Sequence, residues 1–128
     1  MNIKTTIGLI ILIFLVLGGG LSFALTRSNT SCSSTALGVT HTVTIKDGKP
    51  SNGDIQAKLC DRLTITNQDD VIRHIAFGVH EKHVAYDGVS EKFLTKGQSL
   101  SVVLDKVGTF HWHDHDHDEV EGYFTTTR

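Results

Sequence analysis

The sequence has little of four features that would point to common alternatives: excess positive charge, helical periodicity, proline and cysteine. Its 12 lysines and arginines face 14 aspartates and glutamates, a formal net charge of −2, so a basic surface for nucleic acid is not expected. No window longer than eight residues beyond the N-terminus has helical periodicity, which argues against a helical domain. Pro50 is the only proline, and the two cysteines, Cys32 and Cys60, allow a single intramolecular pairing.

The one long apolar run is at the N-terminus. Residues 7–17 read "IGLIILIFLVL" after "MNIK", which is typical of an export signal, and the small residues Ser22 and Ala24 fit cleavage after Ala24. The alternative is an uncleaved membrane anchor, because residues 6–24 are uncharged and a helix needs about 20 residues to cross a bilayer. We therefore predict a signal peptide or membrane anchor over residues 1–25, a polar linker over 26–38 and one small domain over 39–128.

Both interpretations of the N-terminus predict an exported domain, located in the periplasm, in the extracellular medium or on a membrane facing outward. Oxidising conditions there favour a disulfide between Cys32 and Cys60. Closing a loop of this length stabilises a domain by about 3–4 kcal/mol in the chain-entropy description. The alternatives are two unpaired thiols or an intermolecular bridge.

Alternation of apolar and polar residues organises the rest of the chain. The segment "VTHTVTIKDG", from Val39, is typical of a half-buried strand that ends at a turn, and His41 on its apolar face is interpreted as a hydrogen-bonded packing residue. The same pattern continues in "RLTITNQDD", "VIRHIAFGV" and "LTKGQSLSVVLDKVGTFHWH", whereas residues 80–92 do not alternate and are expected to form a long loop. Because β-branched residues dominate, the pattern predicts an all-β sandwich of about seven short strands.

Seven of the eight histidines fall in two clusters, which are His74, His80 and His83, and then His111, His113, His115 and His117. Neutral imidazole favours copper, zinc or nickel over magnesium or calcium, and Asp114, Asp116 or Asp118 would accept the second ring N–H of a bound histidine. Alternate residues of a strand lie about 6–7 Å apart, so the run alone does not complete a site. We therefore predict that the two clusters converge on one cation. The alternative is a solvated polar loop with no defined ligand.

Three segments resemble the cupredoxins, the Greek-key copper-binding sandwiches, over about residues 39–128: "LTITNQDDVIRHIAF", "LTKGQSLSVVLDKVGTFHWH" and "VEGYFTT". The resemblance implies a Greek-key β-sandwich in which His74 is the first histidine ligand. It puts Asp114 in the place of the blue-copper cysteine, His117 in that of the second histidine and Val120 in that of the axial methionine. Without a thiolate in the ligand loop, a blue-copper centre is not expected.

The segments "HEKH" and "GTFHWHDHDHD" resemble a variant of exported single-domain cupredoxins that has HxxH and HDH elements, which carries over His80, His83, His113 and His115 as ligands. The resemblance implies an exported protein that binds copper, with zinc as the second choice, and serves in copper transport, storage or surface protection with an unidentified redox or copper-transfer partner. Two alternatives stay open. One is a copper-dependent redox enzyme with an open nitrogen-ligated site, and the other is a metal-free β-sandwich interaction module.

Overall fold

The computed structural model describes residues 32–33 and 37–128. The signal peptide or anchor predicted over 1–25, and most of the linker predicted over 26–38, lie outside these residues. Within the described part, no helix has the length and apolar character needed to cross a membrane. The described chain forms ten strands: β1 (Thr40–Lys46), β2 (Lys49–Pro50), β3 (Asp54–Lys58), β4 (Arg62–Asn67), β5 (Arg73–Val79), β6 (Lys82–His83), β7 (Glu91–Leu94), β8 (Ser99–Val103), β9 (Gly108–Asp114) and β10 (His117–Thr127).

The strands form two mixed sheets that pack face to face. One sheet has the order β2-β1-β4-β8, and the other has the order β3-β10-β9-β5-β6 with β7 paired on β5. The pairs β1–β4 and β3–β10 are parallel and the remaining pairs are antiparallel. Because the chain alternates between the sheets, sequence-distant strands such as β5 and β9 become neighbours. The predicted all-β Greek-key sandwich is confirmed.

Period-2 burial along the strands explains why this sequence forms two facing sheets. In β1 the buried residues Val43 and Ile45 alternate with more exposed threonines, and β4 repeats the pattern with Leu63 and Ile65. The six-stranded sheet contributes Trp112, among others, which is fully buried in the core. The apolar faces of the two sheets therefore bury each other.

The number of strands and the loop over residues 80–92 differ from the sequence expectation. Two of the ten strands, β2 and β6, have only two residues, and β6 lies inside the segment expected to be a loop. That segment also contains an antiparallel bridge between Tyr86 and Val89, and its end belongs to β7. Such short pairings rest on backbone hydrogen bonds at a sheet edge, which need no alternation of side chains.

The predicted disulfide between Cys32 and Cys60 is present, with a sequence separation of 28. Next to Cys60, the carboxylate of Asp61 accepts hydrogen bonds from the backbone N–H groups of Val39 (2.8 Å) and Lys58 (2.9 Å) and contacts His41 Nε2 at 2.8 Å. Burial alone would raise the pKa of Asp61, but the contacts with Lys58, His41 and Val39 outweigh it and lower that pKa. His41 is thus hydrogen bonded, as predicted.

Candidate metal centre

The histidine run lies on the outer face of the six-stranded sheet. In β9, Phe110 and Trp112 pack against the core, so the alternating residues His111 and His113 point to the opposite face. His113 is the partner of Ala76 on β5, and Ala76 is fully buried. Because alanine carries only a methyl group, it leaves space on this face for the imidazole of His113.

A tight hairpin between β5 and β6 brings two more histidines over this face. Gly78 on β5 pairs with His83 on β6 and has a φ of 89°. A Cβ at Gly78 would lie 2.7 Å from the carbonyl oxygen of Lys82 and 2.9 Å from the backbone nitrogen of Val84. Glycine suits both the positive φ and the close backbone approach. The turn that follows Gly78 therefore carries His80 and His83 back over the sheet.

Four imidazoles from these two segments meet. His80 stacks on His115, with ring centroids 4.5 Å apart, and Nε2 of His83 lies 3.0 Å from Nδ1 of His115. The ring of His113 lies 5.7 Å from that of His80 and 5.3 Å from that of His83, between centroids. One nitrogen each of His80, His113 and His115 lie within 4.8 Å of one another. The two histidine clusters of the sequence therefore converge.

His113 is the ring whose surroundings call most strongly for a cation. The residue is 2% exposed, and both ring nitrogens are buried without a hydrogen-bond partner among the described residues. Burial lowers the pKa of His113, and the neighbouring His111 and His83 lower it further. These effects outweigh the nearby backbone of Gly78, which raises it but makes no contact of hydrogen-bond geometry, so the ring is neutral at pH 7 and keeps a lone pair. Because unpaired buried polar atoms cost free energy, a cation held between His113, His80 and His115 would supply the missing partner.

Carboxylates orient two of the rings. Oδ1 of Asp118 lies 3.0 Å from Nδ1 of His80, and Oε2 of Glu91 lies 3.1 Å from Nδ1 of His83. A carboxylate that accepts the Nδ1–H leaves Nε2 unprotonated, which is the usual outer arrangement around a metal-bound histidine. The negative charge of these groups also favours a cation at this face.

His111 is held differently. Its Nδ1 lies 2.9 Å from the carbonyl oxygen of Gly78, and its Nε2 lies 2.7 Å from Oε2 of Glu121. Both nitrogens therefore face acceptors, so neither is directed at the other rings. The ring stacks on His113 at 5.3 Å between centroids and lines the cluster.

Comparison with known proteins found no matching family model and no matching curated sequence. Among solved structures, a reduced tryptophan-to-tyrosine mutant of amicyanin, a cupredoxin, matches with a TM-score of 0.58 and 18% identity over 69% of this chain and 82% of amicyanin. The reduced Cu(I) form at pH 4 of a proline-to-glycine mutant of amicyanin gives 0.58 and 19% over 76% and 90%. The domain has a cupredoxin-like fold. At these identities the similarity establishes the fold alone.

This cupredoxin-like domain lacks the thiolate ligand of a blue-copper site. Both cysteines of the chain form the disulfide, so no thiolate is available. Asp114, which the sequence resemblance put in the place of the cysteine, is fully buried and accepts hydrogen bonds from Arg73 Nη1 and the backbone N–H of His74, both at 3.1 Å. Its oxygens are occupied by these donors and do not face the ring cluster.

The remaining predicted ligands lie at the edge of the cluster or outside it. His74 stacks on Phe93 at 4.0 Å and lies 5.1 Å from His115, between ring centroids, so it borders the cluster. His117 contacts Oδ2 of Asp114 through Nδ1 at 3.2 Å, and in the described part of the chain its ring contacts no other histidine ring. Asp116, predicted to accept a ring N–H, lies 3.6 Å from Nδ1 of His74 through Oδ2.

The sequence analysis did not identify Glu91 and Glu121 as residues of the site. Glu91 on β7 pairs with Ala76 on β5, and Glu121 on β10 pairs with His113 on β9, so both glutamates share the outer face with the rings. For Glu91 only the strand register reveals this, because Glu91 is on a different strand from the histidines that it contacts. A sequence signal for Glu121 exists in the alternation of β10, in which Val120 and Gly122 are buried.

Substituting Gly78 by alanine should disrupt the hairpin that carries His80 and His83. The new methyl group would meet backbone atoms of Lys82 and Val84 in the same hairpin. The alanine would also have to adopt a positive φ. We expect a loss of about 1–3 kcal/mol in the free energy of unfolding and a weakening of metal binding of tenfold or more. Urea unfolding and calorimetric titration with copper measure the two effects.

Gly97 provides the matched control for this substitution. It also has a positive φ, of 82°, but an added Cβ would meet no atom within 4 Å. Gly97→Ala should therefore cost stability without affecting metal binding. Equal metal binding by both variants would contradict the role given to the β5–β6 hairpin.

Proposed function

We propose that this protein binds copper through nitrogen ligands, with His80, His113 and His115 as the central ligands and His83 beside them. The observation that carries the proposal is the buried, unpaired imidazole of His113 at the meeting point of the other rings. Three nitrogen donors without thiolate suit copper(II), which leads the divalent ions in affinity for imidazole sites.

The comparisons support copper over other ions. The amicyanin structures that share the fold include Cu(I) forms. These structures give no support to zinc, the second choice from the sequence. When bound, copper would act as a Lewis acid and as a one-electron centre. The chain supplies the orienting carboxylates Asp118 and Glu91, and the sheet and hairpin exclude water from His113.

The role that fits these features is copper handling outside the cytoplasm, as transport, storage or protection of the cell surface. The disulfide supports an oxidising compartment, and the apolar segment over residues 6–24 supports export or membrane attachment. The absence of a thiolate argues against a blue-copper electron carrier. A partner that delivers or receives copper would approach the half-exposed ring of His80.

Copper titration of the full chain tests the proposal. His113→Ala and His115→Ala should each weaken copper(II) binding by roughly 100-fold or more, because each removes a direct ligand and loss of an outer group alone costs 10–100-fold. The copper(II) electron paramagnetic resonance (EPR) spectrum should show nitrogen hyperfine structure, which these variants reduce.

The matched control is His117→Ala, which removes an imidazole of the same run that contacts Asp114 rather than the ring cluster. It should change copper affinity by no more than a few-fold. If all three variants bind copper as the unmodified chain does, or if copper leaves the thermal unfolding midpoint of the unmodified chain unchanged, the copper proposal fails and an interaction module is favoured.

A further inference from the structure

The ligand His115 lies beyond the strand pairing that fixes His113. Regular pairing between β5 and β9 ends at Ile75 and Asp114, and residues 115–116 form the turn that leads to β10. The direction of the His115 ring therefore depends on contacts other than the ladder of strand hydrogen bonds.

The carboxylate of Asp114 supplies such contacts. Its Oδ1 accepts hydrogen bonds from the backbone N–H of His74 at 3.1 Å and from that of Asp116 at 3.2 Å. The carbonyl oxygen of His74 accepts a hydrogen bond from the backbone N–H of His115 at 2.7 Å, so both backbone groups of His74 are bound to the turn region. We propose that Asp114 is a positioning residue for the copper site of the proposed function, on which this inference rests. It holds the turn so that the ring of His115 reaches the ion.

Arg73 fixes the carboxylate itself. Its Nη1 donates to Oδ2 of Asp114 at 3.1 Å, and its Nη2 donates to Oδ2 of Asp69 at 2.6 Å. Asp69 also accepts hydrogen bonds from the backbone N–H groups of Asp47 at 2.5 Å and Gly48 at 3.1 Å. Because Asp69 follows β4 and Asp47 follows β1, these contacts tie the turn that carries the ligand to the four-stranded sheet.

Stability alone does not account for a buried ion pair at this place. Asp114 is fully buried and Arg73 is 4% exposed. Removing two charges from water costs free energy that their attraction often does not exceed, and apolar side chains of similar volume are frequently as stable. Nε of Arg73 is also buried without a hydrogen-bond partner among the residues that the structure describes.

The ion pair does supply direction, which apolar side chains do not. A planar guanidinium binds two carboxylates in a fixed geometry, so the carboxylate of Asp114 has one orientation towards the turn. A ligand that is already in place loses less conformational entropy when the ion binds. The Arg73–Asp114 pair should therefore strengthen copper binding although neither side chain touches the ion.

Copper(II) titration of the full chain at pH 7.5, in competition with a calibrated indicator, tests the inference with Asp114→Asn. An amide that keeps its oxygen on the two backbone N–H groups presents a second donor to Arg73, so the anchor is lost at unchanged side-chain size. We expect copper affinity to fall by about 10–100-fold, as for other groups that orient a ligand. The EPR spectrum of the copper-loaded variant should resemble that of His115→Ala and differ from that of the unmodified chain.

A double-mutant cycle tests whether Asp114 acts through His115. Adding Asp114→Asn to His115→Ala should weaken copper binding by no more than about twofold, because the ligand that Asp114 directs is already absent. Adding the same change to His80→Ala should cost the full loss of about 10–100-fold. A full loss in the His115→Ala background as well would overturn the positioning role.

Asp61→Asn is the matched control. Asp61 is another buried carboxylate, 6% exposed, and it accepts hydrogen bonds from the backbone N–H groups of Val39 and Lys58 next to the disulfide. This variant should lower the thermal unfolding midpoint and leave both the copper affinity and the EPR spectrum unchanged. An equal loss of copper affinity in Asp61→Asn would overturn the proposal, because general destabilisation would then explain the effect.

Arg73→Lys takes the place of Asp114→Asn if the latter does not fold. It keeps the positive charge, but one ammonium group does not reproduce the fork that binds both carboxylates, so copper affinity should fall by about tenfold. Copper binding with unmodified affinity by the folded variant would overturn the positioning role and leave the copper site of the proposed function in place. No copper binding by the unmodified chain would overturn both.

Discussion

Replacing Asp114 by alanine should lower the free energy of unfolding by about 3–5 kcal/mol, the loss that follows when one partner of a buried ion pair is removed. The carboxylate of Asp114 is fully buried, and the side chain of Arg73 is 5% exposed. The truncation would leave the guanidinium with only Asp69 as its counter-charge, and would also leave the buried backbone N–H of His74 without its acceptor.

The ionisation of Arg73 agrees with this interpretation. Burial alone would lower the pKa of its guanidinium, but hydrogen bonds to Asp69 and Asp114 outweigh that effect and raise it. The charge therefore persists after the substitution and must be accommodated in the same buried place. That cost, and not the lost hydrogen bond alone, makes the expected effect large.

An exposed ion pair of the same protein is the control. Lys96 and Asp70 lie 2.8 Å apart, and the Asp70 side chain is 89% exposed. Asp70→Ala should cost less than about 1 kcal/mol, because solvent screens such pairs. Urea unfolding followed by the fluorescence of Trp112, the single tryptophan, measures both variants. Similar losses of unfolding free energy in the two variants would show that the buried Arg73–Asp114 pair stabilises the fold no more than an exposed pair does.

Copper affinity should fall by at least about 100-fold between pH 7.5 and pH 4.5. An ordinary imidazole titrates near pH 6.5, and a ring must be unprotonated to coordinate, so each such ligand costs up to about 100-fold at pH 4.5. Competition titrations at the two pH values, with an indicator calibrated at each, measure the ratio. Equal affinity at both pH values would show that the rings are not the ligands.

His113 also makes the stability of the metal-free protein depend on pH. Its lowered pKa means that the folded protein protonates this ring only at a lower pH than the unfolded chain does. The stability contributed by its neutral form is therefore complete above about pH 6.5 and is lost as the pH falls towards and through the folded pKa. The metal-free protein should thus unfold more easily in mild acid, and His113→Gln should reduce this particular dependence, as thermal unfolding at several pH values would show.

Local periodicity was enough to predict an all-β sandwich, whereas the Greek-key order was implied by the resemblance to cupredoxins. The alternation around Val43 and Ile45, and again around Leu100 and Val102, is a two-residue pattern that each strand carries within itself. Trp112 lies in the core on the same alternation within β9. That placement has a consequence for the neighbouring histidines, which must point to the opposite side.

Residues whose position depends on pairing between distant strands were not predictable in this way. Glu91 reaches the rings because β7 pairs with β5 opposite Ala76, and this register depends on loop lengths and on backbone hydrogen bonds. The hairpin at Gly78 was not predicted for a similar reason, because a strand of two residues is too short to show alternation of side chains. The resemblance to cupredoxins put His117 in the place of the second histidine ligand. In the structure it contacts Asp114, next to an irregular pairing between β9 and β10.

The disulfide lies far along β10 from the imidazoles. Glu121 pairs with His113, whereas the last residue of β10, Thr127, accepts a hydrogen bond from Leu59, next to Cys60. Six residues of extended strand separate these points, about 20 Å. The Cys32–Cys60 disulfide therefore attaches the chain to the domain at the end remote from the imidazoles. If the stretch upstream of Cys32 holds the protein at a lipid surface, attachment at this end would leave the candidate metal centre uncovered by the point of attachment.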